Sequence, residues 1–474
     1  MVSRSCALLA VGFLGLLTPE LASAQGCNQF GARPLLSGPV TEHATEDGRF
    51  LLRWTTEGDD LPSNMDDLDG NGLPDAVDRT LVGLEDADIA FPLAGYREVA
   101  PDDGAGGSDA IDVYFIDLPV NGCAFEVPAE DGSDAGSSCT MLIDGGLGDS
   151  AEGVIESVAA HELHHCTQYA HTIDGPSWLL EATATFEQYR LFTSAALVAA
   201  VEFLWRFRLE SPDRPLDALG DRFEYAGFIF IYFWESFGGV DPDRIPALWE
   251  ALREHDGDWE EALESESQRL WGQPFSRTFL DFATWNAFAC ARDDQAHYPI
   301  TGEFPCTIPT TQVPIEEVDG PALSVDLPET PFATAYFEVA AAGDERPLAL
   351  SCGGPGDEGA RLRARLVTLD TFGREVASVD ATGRDNEGFE IRSEVAQDPD
   401  GTTLVVMAST GNAAVSFDCA LSRAAVPEPE PPDEPPAEGC ACDQASRPSG
   451  GALLLLALLA PKRRRRREDP TPSR

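Results

Sequence analysis

The tightest constraint on this chain is the run from Ile155 to Tyr169, where His161, Glu162 and His165 fall into an otherwise apolar stripe. Ile155, Val158 and Ala159 recur at helical spacing and Tyr169 continues the pattern. Extending the stripe lands on Glu162 and His165, with His161 beside it. An acid and two imidazoles therefore stand where a packed helix would carry Leu or Val, and burying them without partners is costly. A divalent zinc ion answers that cost. Two histidines at i and i+4 project the same way one turn apart and supply two nitrogen ligands. Glu162, next to the first of them, is then placed to take a proton from a water on the metal. The same short pattern also occurs on solvated helix faces. Here the apolar run-up, and Asp149-x-x-Glu152 read as a capping box at the helix start, favour a buried helix. His164, three residues from His161, reads as rim or supporting layer.

A third ligand is available in Trp178-Leu-Leu-Glu181, on an apolar run that opens as a helix after Gly175-Pro176-Ser177. Glu187 is six residues further on. Its direction differs from that of Glu181 by about 120°, and beside Gln188 and Arg190 it reads as a solvated carboxylate. H-E-x-x-H followed by W-L-x-E resembles the gluzincin zinc peptidases, in particular secreted metalloproteases of myxobacteria. The resemblance covers about residues 45 to 300 and includes Asp69-Gly-Asn-Gly72 and Asp112-Val-Tyr-Phe-Ile-Asp117. It implies zinc held by His161, His165 and Glu181, with Glu162 as general base of peptide hydrolysis. It also implies an α+β fold: a gluzincin-like catalytic domain with a small β-sheet and an active-site helix, then a helical subdomain. Such a site calls for a phenol or imidazole donor toward the tetrahedral intermediate. Tyr225 is the candidate, and an ordinary core role is the alternative for it. Two positions depart from the family. Ala182 stands where relatives carry Gly, and Thr185 stands where some carry an Asp that hydrogen-bonds a ligand histidine.

Charge narrows the partners. The 474 residues include 82 acidic and 32 basic side chains, a formal charge of −50. That surface argues against nucleic acid and anionic membranes, and suits a monomer that stays soluble outside the cell. Residues 1–24 read as a secretory signal: Arg4, the apolar stretch Ala7 to Leu17, and Ala22-Ser-Ala24 at the cut. Export makes disulfides expected. With Cys6, Cys440 and Cys442 set aside, local pairing predicts Cys123–Cys139, Cys290–Cys306 and Cys352–Cys419, leaving Cys27 for Cys166. Cys166 itself points about 100° around the helix from His165.

In chain order, Phe50 to Thr56 alternates as a strand. Asp67, Asp69, Asn71, Leu73, Asp75 and Asp78 then match the ligand positions of an EF-hand-like calcium loop, with Gly72 at its sharp turn. An acidic turn without an ion is the other reading. A helix from Ala76 to about Ile89 follows, then strands at Ala110–Asp117 and Thr140–Ile143, with an edge strand available to pair a peptide. Trp178 to about Cys290 is helical. These segments form a catalytic domain over 40–308. Over 320–424 short strands predict an all-β, sandwich-like accessory domain, with runs at Tyr336–Val339, Leu348–Cys352, Leu362–Leu369, Phe389–Val395, Thr402–Met407 and Ala414–Leu421. A Pro/Glu-rich spacer occupies 425–438. In 439–467, Cys440, Cys442, an apolar run and five arginines resemble the MYXO-CTERM sorting signal of myxobacterial surface proteins, which implies processing machinery and an outer-surface location. The expectation is a secreted, surface-anchored zinc endopeptidase acting on peptide or protein. The competing one is a calcium-stabilised adhesin with a structural or vestigial zinc site.

Overall fold

The computed structural model describes residues 33–127, 136–294, 296–298, 306–313, 323–327, 331–354, 359–384, 387–411 and 415–423. The signal segment, Cys27, the spacer and the C-terminal sorting segment lie outside these residues. The fold is mixed α+β.

The first sheet is built from β1 (Val40–Ala44), β2 (Phe50–Thr55), β3 (Ile111–Ile116), β4 (Gly122–Val127) and β5 (Ser138–Asp144), in the order β1-β2-β3-β5-β4. The three inner strands are parallel and both outer ones antiparallel. A parallel β2–β3 pair needs a long crossover. It is supplied by α1 (Asp75–Leu93), one turn longer than the spacing predicts. Phe50, Leu52 and Trp54 of β2, Val113 and Phe115 of β3 and Met141 and Ile143 of β5 face the main core. The opposite face carries a smaller cluster with Tyr114, Ile116, Cys123 and Leu142.

Against the core face lies α2 (Val154–His171), buried over most of its surface. Its start differs from the expected capping box. Asp149 closes a short 3-10 turn, Glu152 is exposed, and the helix begins after Gly153, whose left-handed φ of 83° makes the turn with no side-chain cap. The side of α2 toward α1 is equally close: a Cβ on Gly83 would sit 2.2 Å from the Glu156 carbonyl oxygen. Arg79 of α1 clamps the Glu156 carboxylate at 2.7 and 2.9 Å. The chain continues through α3 (Ser177–Leu191), α4 (Ala195–Leu209), α5 (Phe223–Ala226), α6 (Phe228–Ser236), α7 (Arg244–Glu254), α8 (Trp259–Trp271) and α9 (Phe275–Ala287). Among the described residues no helix is long and apolar enough to cross a membrane.

Two further sheets follow: β11-β10-β13-β8-β6 and β12-β9-β14-β7. Their strands are β6 (Thr311–Gln312), β7 (Leu323–Leu327), β8 (Thr334–Ala340), β9 (Leu348–Cys352), β10 (Arg361–Leu369), β11 (Glu375–Arg384), β12 (Phe389–Arg392), β13 (Thr402–Ser409) and β14 (Val415–Arg423). Leu362, Ala364, Leu366, Val405 and Met407 point between the sheets. Their neighbours Val367, Leu369, Leu404, Val406 and Ala408 point the other way and belong to the core that also contains Phe275, Phe279 and Phe282 of α9. The five-stranded sheet is thus covered on both faces.

The disulfides correct part of the expected pairing. Cys290–Cys306 and Cys352–Cys419 form as predicted. Cys139 bonds Cys166 instead, with Cα atoms 5.3 Å apart, so neither Cys123–Cys139 nor Cys27–Cys166 forms. The reason is strand parity. Cys123 lies on the outer face of the sheet while Cys139 faces the core, where the turn of α2 presents Cys166. Cys123 is disulfide-bonded as well.

Candidate metal centre

All three predicted ligands converge. His161 and His165, one turn apart on α2, and Glu181, in the second turn of α3, bring their ligand atoms within 4.8 Å of one another, and this is the group of three found among the described residues. Glu181 Oε2 lies 3.2 Å from His161 Nε2 and 3.6 Å from His165 Nε2. A tetrahedral ion with bonds of about 2.1 Å holds its ligand atoms about 3.4 Å apart. The donor set of two imidazoles and a carboxylate, at that spacing, fits zinc. The two rings stand nearly perpendicular, with centroids 4.8 Å apart.

The electrostatics follow from burial and mutual proximity. Burial works against the Glu181 anion, but the two histidines outweigh it and hold the carboxyl far below its usual range. His165 is pushed the opposite way: burial disfavours its cation, yet Glu181 draws it up to about 9. Glu162 is buried beside the ligands. Desolvation raises its pKa, the two histidines partly offset the rise, and Glu181 adds to it.

Glu162 has its space because Gly122, the first residue of edge strand β4, has no side chain. A Cβ there would lie 2.7 Å from Glu162 Oε1 and 2.8 Å from its Cγ. From the far side, Tyr225 of α5 stacks its ring on His161 at 6.1 Å. Its hydroxyl donates to Glu181, and burial together with the charges of Glu181, Glu162 and Glu224 pushes the phenol well above its ordinary range. The phenol therefore stays protonated. Ala182, the departure from Gly, is accommodated by a second glycine: the Cβ that Gly227 lacks would meet Ala182 Cβ at 3.0 Å. Thr185 is buried, and among the described residues neither its hydroxyl nor Nδ1 of His161 has a hydrogen-bond partner.

Of the two places open to His164, rim or supporting layer, the structure gives the second: it is fully buried, edge-on to Phe91 and Tyr96 with centroids 5.1 and 5.0 Å away, and is linked to His165 through Gln168. One sequence expectation fails here. Glu187 is not solvated. It turns away from the metal as its helical angle requires, but into the core, where Tyr96 donates to it at 2.8 Å and Arg190 pairs with it at 2.7 Å. α3 packs against α2, α5 and α6, and Tyr96, just past the end of α1, reaches this turn.

Sequence reasoning passed over Gln168, Tyr169 as a site residue, and β4. Gln168 contacts His165 and His164 together, and Tyr169 donates to the Ala124 carbonyl of β4 at 3.3 Å. A Gln three residues after His165, on the same apolar face, was the available signal. In the Asp67–Asp78 loop the side chains are engaged in turn hydrogen bonds. Gly72 N donates to Asp67, Asn71 N to Asp69, Leu73 N to Asn71 and Leu68 N to Asp75, while Asn71 Nδ2 donates to Asp78. The loop is exposed.

No protein-family profile matches the chain, and no curated protein matches it. Among solved structures it is similar to a surface-associated copper-binding protein, CorA, important in Methylomicrobium album BG8 copper acquisition. That likeness has 6% identity, covers 24% of this chain and 98% of that one, and scores a TM of 0.18. It is similar also to the structure of infectious bursal disease virus Gx strain, at 9% identity, 21% and 26% coverage and a TM-score of 0.14. Neither similarity carries an argument about fold or activity. The site's own geometry has to do that.

Proposed function

We propose that the chain is a secreted, surface-anchored zinc endopeptidase of the gluzincin type, with His161, His165 and Glu181 as zinc ligands. The observation that supports it most is the buried meeting of these three ligand atoms directly beside Glu162. Zinc bound there would supply Lewis acidity toward a carbonyl oxygen and would acidify a water. Glu162 accepts the proton of the attacking water and returns it to the leaving amine. Tyr225, kept protonated, is the hydroxyl donor on the opposite side of the ligands. The outer edge of β4 offers backbone groups along which an extended peptide can lie, with Gly122 at the end nearest Glu162. The signal-like and sorting-like segments support secretion and anchoring.

Glu162→Gln tests the reading. The variant should hold zinc at the wild-type stoichiometry and lose hydrolysis of a mixed peptide pool, while Glu181→Ala should lose both. Hydrolysis by Glu162→Gln at the wild-type rate would remove the mechanism and leave the binding-protein alternative.

A further inference from the structure

Gln168 makes contacts that decide how the zinc ligands are presented. Its side chain is wholly buried on α2. One end of the amide lies 2.9 Å from the Leu180 carbonyl oxygen and 2.8 Å from Thr183 Oγ1, both on α3. A carbonyl only accepts, so that end is the NH2 group. Thr183 Oγ1 donates its own proton to Leu179 O at 2.8 Å, so it too accepts from Gln168. The amide orientation is thereby fixed from the α3 side, and everything on the α2 side follows. The Oε1 end faces His165 Nδ1 at 2.8 Å, so that nitrogen carries a proton and Nε2 is the one that would give up its proton and present a lone pair to a bound metal. The NH2 end is also 2.9 Å from His164 Nδ1, so its two protons are shared among three acceptors; because an amide NH2 cannot accept, that nitrogen carries no proton and the proton of His164 sits on Nε2, which has no hydrogen-bond partner among the described residues. Two adjacent histidines are held in opposite tautomers by one amide.

We infer that Gln168 is a positioning residue. It sets the His165 tautomer and, through Leu180 and Thr183, holds α3, and with it Glu181, in register with the two ligands on α2. Leu180 immediately precedes Glu181 in the chain, so the link reaches the third ligand through one peptide unit. The inference rests on the metal-site reading and not on peptidase activity. Groups that orient a ligand histidine typically matter 10- to 100-fold for metal affinity.

The test separates the two roles. Gln168→Leu keeps the volume and removes every hydrogen bond; zinc affinity, measured by competition with a chromophoric chelator, should fall about 10- to 100-fold. Gln168→Glu still accepts from His165 Nδ1 but loses its donors to α3. Keeping the His165 contact but releasing α3 and Glu181, it should bind zinc more weakly than wild type and more tightly than Gln168→Leu, while melting earlier. A Gln168→Leu protein that binds zinc as tightly as wild type overturns the proposal. Should that variant fail to fold, the zinc-loaded wild type decides. Long-range 1H–15N spectra of its seven histidines should show His165 protonated at Nδ1 and His164 protonated at Nε2. The reverse pattern at either ring overturns the assignment. None of these readouts involves hydrolysis, so a chain without peptidase activity would still pass or fail them.

Discussion

At the scale of single residues, the site depends on groups that are small or neutral where the surrounding chemistry needs them to be. Gly122→Ala would place a methyl within 2.7 Å of Glu162 Oε1 and displace the proposed base without touching a ligand. Misplacing a reacting group by about 1 Å typically costs on the order of 100-fold in rate. The expected result is full zinc content, a kcat lower by about that factor and a nearly unchanged KM; wild-type kcat would show that Glu162 is not confined by β4. Glu187 makes a prediction about pH. Burial lifts its pKa from an ordinary value of 4.5 to about 7, against the pull of Arg190 and Tyr96. The folded state then binds a proton that the unfolded chain has already released, so stability falls as pH rises from about 4.5 to about 7. The span is worth about 3 kcal/mol. Glu187→Gln, which keeps an acceptor for Tyr96, should flatten that slope in urea titrations between pH 4.5 and 7. A slope as steep as wild type would mean that Glu187 is already ionised at the acid end.

At the scale of elements, α2 is fixed from several sides. α1 packs against it through Gly83, β4 through Tyr169 and Gly122, and β5 through the Cys139–Cys166 disulfide. The disulfide is attached to the residue directly after the candidate ligand His165 and closes a loop of 27 residues. Such a crosslink is worth about 3.5 kcal/mol in the chain-entropy picture. Replacing both cysteines by serine should lower the urea midpoint accordingly and weaken zinc binding, since His165 loses its anchor to the sheet. A double variant with the wild-type midpoint would show that packing alone holds the helix. These elements were unequally legible. α2, α3, β2, β3 and β5 announced themselves through helical spacing, alternation or continuous apolar runs. The edge strands β1, β4 and β11 did not, because an edge is free to carry polar and small residues.

At the scale of the whole molecule, the β-rich part and the helices share a core. Arg365 of β10 donates to Asp281 and Thr284 of α9 at 2.7 and 3.1 Å and to Asp380 of β11 at 2.7 Å, while Arg363 reaches Ser276 at 2.9 Å. Tyr336 of β8 donates to the Ala283 carbonyl, and Phe332 packs on Trp259, Phe275 and Phe279. All eight tryptophans precede residue 286, so their fluorescence reports the part that precedes the two later sheets, with Trp259 at its contact with Phe332. Arg365→Met should leave Asp281 buried without its cation, while Asp380 keeps Arg277 at 3.0 Å, and cost about 3 kcal/mol. If the core is shared, the tryptophan-reported unfolding midpoint drops although the change lies in the β-rich part; an unchanged midpoint would show that the two parts unfold independently. The sequence by itself determined the class of the fold and the residues of the candidate metal centre, because polar ligands inside apolar helical stripes leave a periodic trace that a single chain displays. Only the tertiary structure decided the partners: Cys139 with Cys166, Glu187 with Tyr96, Gln168 between His164 and His165, Gly122 against Glu162, α9 against β10. Periodicity tells which way a side chain points within its own element. What lies opposite is set by how elements far apart in sequence pack, and no local pattern encodes that.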